Sequence, residues 1–240
     1  VEKLRLRVST SHEECWAFEP VELNIRLCAK ELVTFPDIVD PGYEEFNIWI
    51  DGPDGSRRAY RPTALYCANS GTISIAPHKV FSRDVSIWGE SGGYTFRETG
   101  IHRICCTLRC DDDVIRSNTI EIFVKPAAPR SSRYERAKRV LAEPGNARLL
   151  FYKSGRTPLR KLEPLSEVSK DFRRTPTAAH IQYSLARALV TNIQDVGRST
   201  KRRAQETAAE RALKHALDSG HLGPPRRRRA QDLLDALREI

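Results

Sequence analysis

The chain has 240 residues, 30% charged and 40% hydrophobic, with 13 Gly, 14 Pro and a formal net charge of +9. This composition excludes collagen-like and low-complexity classes and fits a globular protein of one or two domains with a real core. No apolar run approaches the roughly 18–20 residues that span a bilayer as a helix. The opening Val1-Glu2-Lys3-Leu4-Arg5-Leu6-Arg7-Val8 alternates charged and apolar side chains, unlike the continuous apolar core of a signal peptide, and points to the cytoplasm. The charge is unevenly spread. Residues 1–126 hold 15 Lys and Arg against 19 Asp and Glu, a net −4, while residues 127–240 hold 25 against 12, a net +13. All six cysteines (Cys15, Cys28, Cys67, Cys105, Cys106 and Cys110) precede the change of sign. These shifts meet at Pro126-Ala127-Ala128-Pro129-Arg130-Ser131-Ser132 and predict a domain over 1–126, a linker over 127–132 and a second domain over 133–240.

The first domain reads as strands and turns. Leu4, Leu6 and Val8 alternate with charged neighbours, and Val21, Leu23, Ile25 and Leu27 repeat the period of two that marks a half-buried strand. Phe46, Ile48 and Ile50 lead into Asp51-Gly52-Pro53-Asp54-Gly55, which carries turn chemistry at every position. Further strands are predicted at Thr72–Ala76, Phe81–Trp88, Ile101–Cys110 and Val114–Val124, with Asp111-Asp112-Asp113 as a solvated hairpin turn. Seven or eight short strands over this length imply an antiparallel β-sandwich.

Three strings in this half resemble bacterial immunoglobulin-like modules, over about residues 3–126. Glu19-Pro20-Val21-Glu22-Leu23-Asn24-Ile25-Arg26-Leu27 is similar to their second strand. Phe96-Arg97-Glu98-Thr99-Gly100-Ile101-His102-Arg103-Ile104 is similar to their approach to a late strand, with His102 where the pattern has Tyr. Arg116-Ser117-Asn118-Thr119-Ile120-Glu121-Ile122 resembles the closing strand. The resemblance implies an immunoglobulin-like sandwich, a fold that mostly binds or spaces other domains.

The second domain reads as helices. Tyr134, Ala137 and Leu141 form one stripe between Ser132 and Pro144-Gly145, and Ala147–Tyr152 gives a short second helix. Leu162, Leu165, Val168 and Phe172 make a clear helical face, with Pro164 placed near a first turn. Ile181, Leu185, Leu189, Ile193 and Val196 make a long stripe that ends near Gly197. The next helix, from about Thr200 to Asp218, carries the small residues Ala204, Ala208, Ala209, Ala212 and Ala216, which let neighbouring helices approach closely. Ala230, Leu233, Leu234 and Leu237 define a last helix after Pro224-Pro225. Arg173-Arg174-Thr175-Pro176 with Ala178, Ala179, Tyr183, Leu185, Ala186, Ala188 and Leu189 resembles the first helix of a tetratricopeptide-type hairpin, and Ala208–Leu217 its partner. The resemblance covers about residues 160–240 without the regular period or the Trp and Gly marks of that family. It implies an irregular helix-hairpin (TPR-like) bundle that binds peptides or proteins.

Candidate chemistry is sparse. Gly89-Glu90-Ser91-Gly92-Gly93 and Thr177-Ala178-Ala179-His180 mimic the nucleophile and histidine strings of a trypsin-like protease, which would use Ser91 as nucleophile and His180 as base. Their order is reversed and they fall in different domains, so a hairpin turn and a helix-surface histidine account for them. Cys105, Cys106 and Cys110, with His102 nearby, could be free thiols, disulfide partners or metal ligands. Neighbours on a strand point to opposite faces, which separates Cys105 from Cys106, while Cys106 and Cys110 share a face with Ile104 and Leu108. No phosphate loop, zinc helix or calcium loop occurs, and no cofactor, metal or catalytic residue is assigned.

The basic residues remain. Arg173, Arg174, Lys201, Arg202, Arg203, Arg226, Arg227, Arg228 and Arg229 are the candidate partner-binding residues. They fit an acidic protein surface, or the chain's own acidic first domain, with nucleic acid as the alternative. The sequence thus predicts an all-β domain followed by an all-α one. Its expected function is that of a non-enzymatic interaction or scaffold protein, docking through sandwich edges and a basic helical surface, with a serine hydrolase as a minor alternative.

Overall fold

The structure is a computed structural model that describes residues 3–62, 71–90, 93–110, 113–126, 139–141, 143, 146, 159–172, 175–193 and 200–238. The chain forms two compact units, Val1–Ala127 and Ala128–Ile240. The first is built of strands in several sheets, the second of helices.

Among the described residues the first unit has thirteen strands: β1 (Leu4–Thr10), β2 (Glu14–Trp16), β3 (Val21–Ala29), β4 (Val33–Pro36), β5 (Phe46–Asp51), β6 (Arg57–Ala59), β7 (Thr72–Ile75), β8 (Val80–Ile87), β9 (Gly89–Glu90), β10 (Gly93–Tyr94), β11 (Gly100–Cys110), β12 (Asp113–Arg116) and β13 (Ile120–Lys125). One antiparallel sheet has the order β1-β3-β8. The larger sheet runs β2-β13-β11-β5-β6, with β12 also on β11, and β2 is parallel to its neighbour. Two-stranded pairs β4-β7 and β9-β10 complete the unit. The predicted period of two is visible in the burial of β1, β3 and β5, where Leu4, Leu6, Val8, Val21, Leu23, Ile25, Leu27, Phe46, Ile48 and Ile50 are all buried.

The three strings singled out in the sequence each hold a join in this unit. The buried Glu19 accepts the Trp16 N–H through Oε2 at 3.0 Å, which fixes the turn from β2 into β3. Gly100 has φ +129°, and a Cβ there would stand 2.7 Å from Pro53 Cβ, so the β5–β6 turn can lie against β11 only because the side chain is missing. Asn118 clamps the outer edge of β1: its Oδ1 accepts the Val8 N–H at 3.0 Å and its Nδ2 donates to the Val8 carbonyl at 3.0 Å. Ser117 Oγ accepts the Cys106 N–H at 2.8 Å and donates to the Asn118 carbonyl, so the segment between β12 and β13 ties β1 to β11.

The second unit contains α1 (Leu159–Asp171), α2 (Pro176–Ile193), α3 (Thr200–Asp218) and α4 (Pro224–Arg238). Successive helices pack on one another, and short connections make such neighbours antiparallel. Leu162, Leu165, Val168 and Phe172 are buried, as their spacing predicts. Pro164 is the sixth residue of α1 and lies inside the helix, beyond the first turn the sequence suggested. The α2–α4 core joins Ala179, Tyr183, Ala186, Ala212, Leu213, Ala216, Leu222, Ala230 and Leu234. Ala204 and Ala208 are exposed, so only the later alanines of α3 serve the close packing predicted for all five. Leu189 is half-buried; Val196 and Gly197 lie outside the described residues, as do the linker and the predicted helix over 147–152. Of the stripe Tyr134, Ala137 and Leu141, only Leu141 is described, and it is buried. Among the described residues no helix is long and apolar enough to cross a membrane.

Candidate basic docking site

Four of the sequence-predicted cations, Arg226–Arg229, fall together near the start of α4. Gly220, at φ +71°, ends α3 in the left-handed conformation that favours glycine, and its N–H donates to the Leu217 carbonyl. Ser219 Oγ donates to the Ala216 carbonyl and accepts the His221 N–H, and the buried Leu222 anchors the turn. Pro224 then opens α4 with φ already set for a helix, and the Arg227 N–H closes the first turn onto the Gly223 carbonyl at 2.9 Å. The opposing helix α2 begins with Thr175, whose Oγ1 accepts the Ala178 N–H.

Arg226 and His180 lock these two helix starts together. Nη1 of Arg226 lies 2.8 Å from Nδ1 of His180. Guanidinium can only donate, so Nδ1 is the acceptor and the ring proton of the neutral imidazole sits on Nε2. His180 is buried rather than on the helix surface that the sequence suggested. Burial, and next the charges of Arg226 and His221, hold its pKa well below the ordinary 6.5. A triad histidine donates from Nδ1 to a carboxylate; here that atom accepts from a cation. Ser91 lies outside the described residues.

The remaining arginines divide by position. Arg227, Arg228 and Arg229 are exposed, and the first turn of α4 carries no acidic residue. Arg202 pairs with Glu206 at 2.7 Å along α3, and Arg203 is exposed. The side chain of Lys201, and both Arg173 and Arg174, lie outside the described residues. The 19 residues of α3 rise about 27 Å at ~1.5 Å each, so its start and the α3–α4 turn are far apart. The structure therefore brings Arg226–Arg229 together with His180 and His221, and sets Arg202 and Arg203 at the far end of α3. His221 was missed in the sequence because nothing local distinguishes a turn histidine, whereas the Thr-Ala-Ala-His string did mark His180.

The cysteines are spread through the β unit, and those described are free thiols. Cys106 sits in the core, while Cys105, on the opposite face of β11, is covered by Arg57, whose Nη2 lies 3.3 Å from Sγ. Among the described residues no cluster of His, Cys, Asp or Glu has metal-holding geometry.

No protein-family model matches the chain, and no curated protein matches it. Among solved structures, a β-glucosidase from Listeria innocua aligns at 10% identity and a TM-score of 0.32, over 52% of this chain and 16% of its own. The sporulation control protein Spo0M from Bacillus subtilis aligns at 10% identity and 0.34, over 58% of this chain and 55% of its own. The alkylpurine DNA glycosylase AlkC from Pseudomonas fluorescens, bound to DNA containing an abasic-site analogue, aligns at 9% and 0.33, over 51% and 30%. The chain spans less than two thirds of the length of each. At these scores the likenesses carry no functional argument.

Proposed function

We propose that the chain is a non-enzymatic interaction protein whose helical unit docks an acidic protein segment on the exposed start of α4. The observation that carries this reading is the run Arg227–Arg229, exposed at and just beyond a first turn that holds no acidic residue. Cations at a helix N-terminus oppose the helix dipole, so the arrangement costs stability in isolation and favours an anionic partner. Nucleic acid could meet the same charges, but the described aromatic rings of this unit, Phe172 and Tyr183, are buried and offer no stacking platform.

In this reading the β unit is an immunoglobulin-like sandwich and the helical unit a TPR-like bundle. The division into β1-β3-β8 and a sheet centred on β13-β11-β5 supports the first, since immunoglobulin-type domains separate their strands in the same manner. His102 supports it as well. The tyrosine of that fold bonds back to backbone a few residues upstream, and His102 Nε2 lies 2.9 Å from the Glu98 carbonyl. Consecutive helix packing through small residues supports the second.

The test is fluorescence anisotropy of the full chain with an acidic peptide, and with single-stranded and duplex DNA of matched charge, over a salt series. The peptide is expected to bind, and Arg227→Glu/Arg228→Glu/Arg229→Glu to abolish binding while leaving far-UV circular dichroism unchanged. Tighter binding of DNA than of the peptide, or binding that survives the triple substitution, refutes the proposal.

A further inference from the structure

The β unit carries a second surface, where an apolar cluster borders two carboxylates. On the outer side of the larger sheet, Ile101 of β11 stands directly across from Phe123 of β13, and the two are 48% and 43% exposed. Trp16 of β2 pairs with Lys125, diagonal to Phe123, and is 36% exposed. The other exposed large apolar residues among those described, Leu32, Val80 and Val114, fall on three separate segments. Scattered apolar side chains need no explanation, but a cross-strand cluster on a solvent face marks a contact surface.

This cluster borders a groove of about 590 Å³, lined by Ile101, Ile120 and Phe123 together with Thr10 at the end of β1 and the carboxylates of Glu13 and Glu121. The volume lies within the ~300–1,000 Å³ of ligand clefts. Two carboxylates and no cation line it. Glu121 holds Arg103 at 2.8 Å, but both side chains are more than half exposed, so the pair is weak and exchangeable. Among the described residues Glu13 has no ion-pair partner.

We propose that this groove docks a peptide segment of a partner protein in which an apolar side chain is flanked by Lys or Arg. The apolar side chain covers Ile101 and Phe123, and the flanking cations meet Glu13 and Glu121. A second copy related by a twofold axis is disfavoured, because an isologous contact would bring the groove carboxylates Glu13 and Glu121 up against the same pair on the other copy's patch. An anionic lipid surface is disfavoured by the same two carboxylates.

The experiment uses the full chain and three labelled ten-residue peptides: a central Leu flanked by lysines, the same Leu flanked by glutamates, and the lysine peptide with Ser for Leu. The first is expected to bind at least tenfold more tightly than either of the others. Phe123→Thr and Ile101→Thr keep β-propensity at exposed positions, and each is expected to weaken it about tenfold. Glu13→Lys/Glu121→Lys is expected to reverse the preference toward the glutamate peptide. Arg227→Glu/Arg228→Glu/Arg229→Glu is expected to leave all three affinities unchanged, which separates this site from the one on α4. Equal binding of the three peptides, or binding indifferent to Phe123→Thr and Ile101→Thr, overturns the proposal. Self-association in sedimentation that Phe123→Thr abolishes overturns it in favour of a second copy.

Discussion

Acidification is expected to loosen the helical unit through His180, one buried imidazole. In the unfolded chain His180 takes up a proton near pH 6.5, the ordinary histidine value. In the folded chain, burial and the adjacent Arg226 and His221 push its pKa well below that value, so the ring stays neutral as the pH falls. Between the two values the unfolded state holds more protons, so stability rises with pH across this window and is lost on acidification. The limiting slope is about 1.4 kcal/mol per pH unit for one proton, which integrates to at most about 2 kcal/mol between pH 8 and pH 5. The loss is large beside the ~5–15 kcal/mol of a typical domain. Urea unfolding of the full chain, followed by far-UV circular dichroism from pH 8 to pH 5, measures it. His180→Gln removes the titration and keeps an acceptor for Arg226, so the difference between wild type and variant isolates this residue from the other histidines. Long-range ¹H–¹⁵N spectra of the imidazole are expected to show the neutral Nε2–H form at pH 6. Titration of the His180 ring near pH 6.5, or a wild-type-minus-variant stability difference that is flat with pH, refutes the reasoning.

Three further outcomes follow from the β unit. Asn118→Ala is expected to cost about 1–3 kcal/mol in urea unfolding, because it strips both bonds from the backbone of the buried Val8; no measurable loss would mean that water replaces the clamp. Arg58 binds both oxygens of the largely buried Glu90 at 2.7 Å, and burial already raises the pKa of that carboxyl against the pull of Arg58. Arg58→Ala leaves Glu90 uncompensated, and since Arg58 is itself 37% exposed, the loss falls at or below the low end of the ~3–5 kcal/mol for broken buried pairs. Adding Glu90→Gln is expected to recover part of it. Burial also pushes the Cys15 thiol up to about 12 and that of Cys106 up strongly, whereas Cys28 is exposed. Peptide mapping after brief alkylation at pH 8 is expected to find Cys28 modified well before Cys15 and Cys106.

What the sequence revealed depended on whether a signal was local. β1 and β3 were legible because one face is buried over seven and nine residues, long enough for a period of two to stand out. The strands β2, β6, β9 and β10, of two or three residues, carry no period and were not seen. The outer placement of Ile101 was legible in principle, since His102, Ile104, Cys106 and Leu108 fix the buried phase of β11. Cys105 breaks that phase by being buried on the outer side, under the long side chain of Arg57. The exposed Ala204 and Ala208 show the ambiguity of alanine, which favours helices whether or not anything packs on it. His180 was the largest misplacement. Its ring is met in the interior by an arginine 46 residues away, a contact no window of sequence contains.

The cations of the helical half differ in what they have left to offer. Arg226 is committed to His180, and Arg202 faces Glu206 along its own helix. Arg227 stands in a first turn where an Asp or Glu would be stabilising, at a cost of ~0.3–1 kcal/mol against the dipole, and Arg228 and Arg229 follow just beyond it. Of the three only Arg227 stands in the first turn, so the dipole cost is at most about 1 kcal/mol, to which the repulsion of the adjacent like charges adds. An acidic segment would recover that energy on contact. The same segment would be repelled by Glu13 and Glu121 at the groove of the β unit, which favours the reverse charge. A net +9 therefore predicts neither surface: it adds a basic helix start to an acidic groove, and each admits what the other turns away.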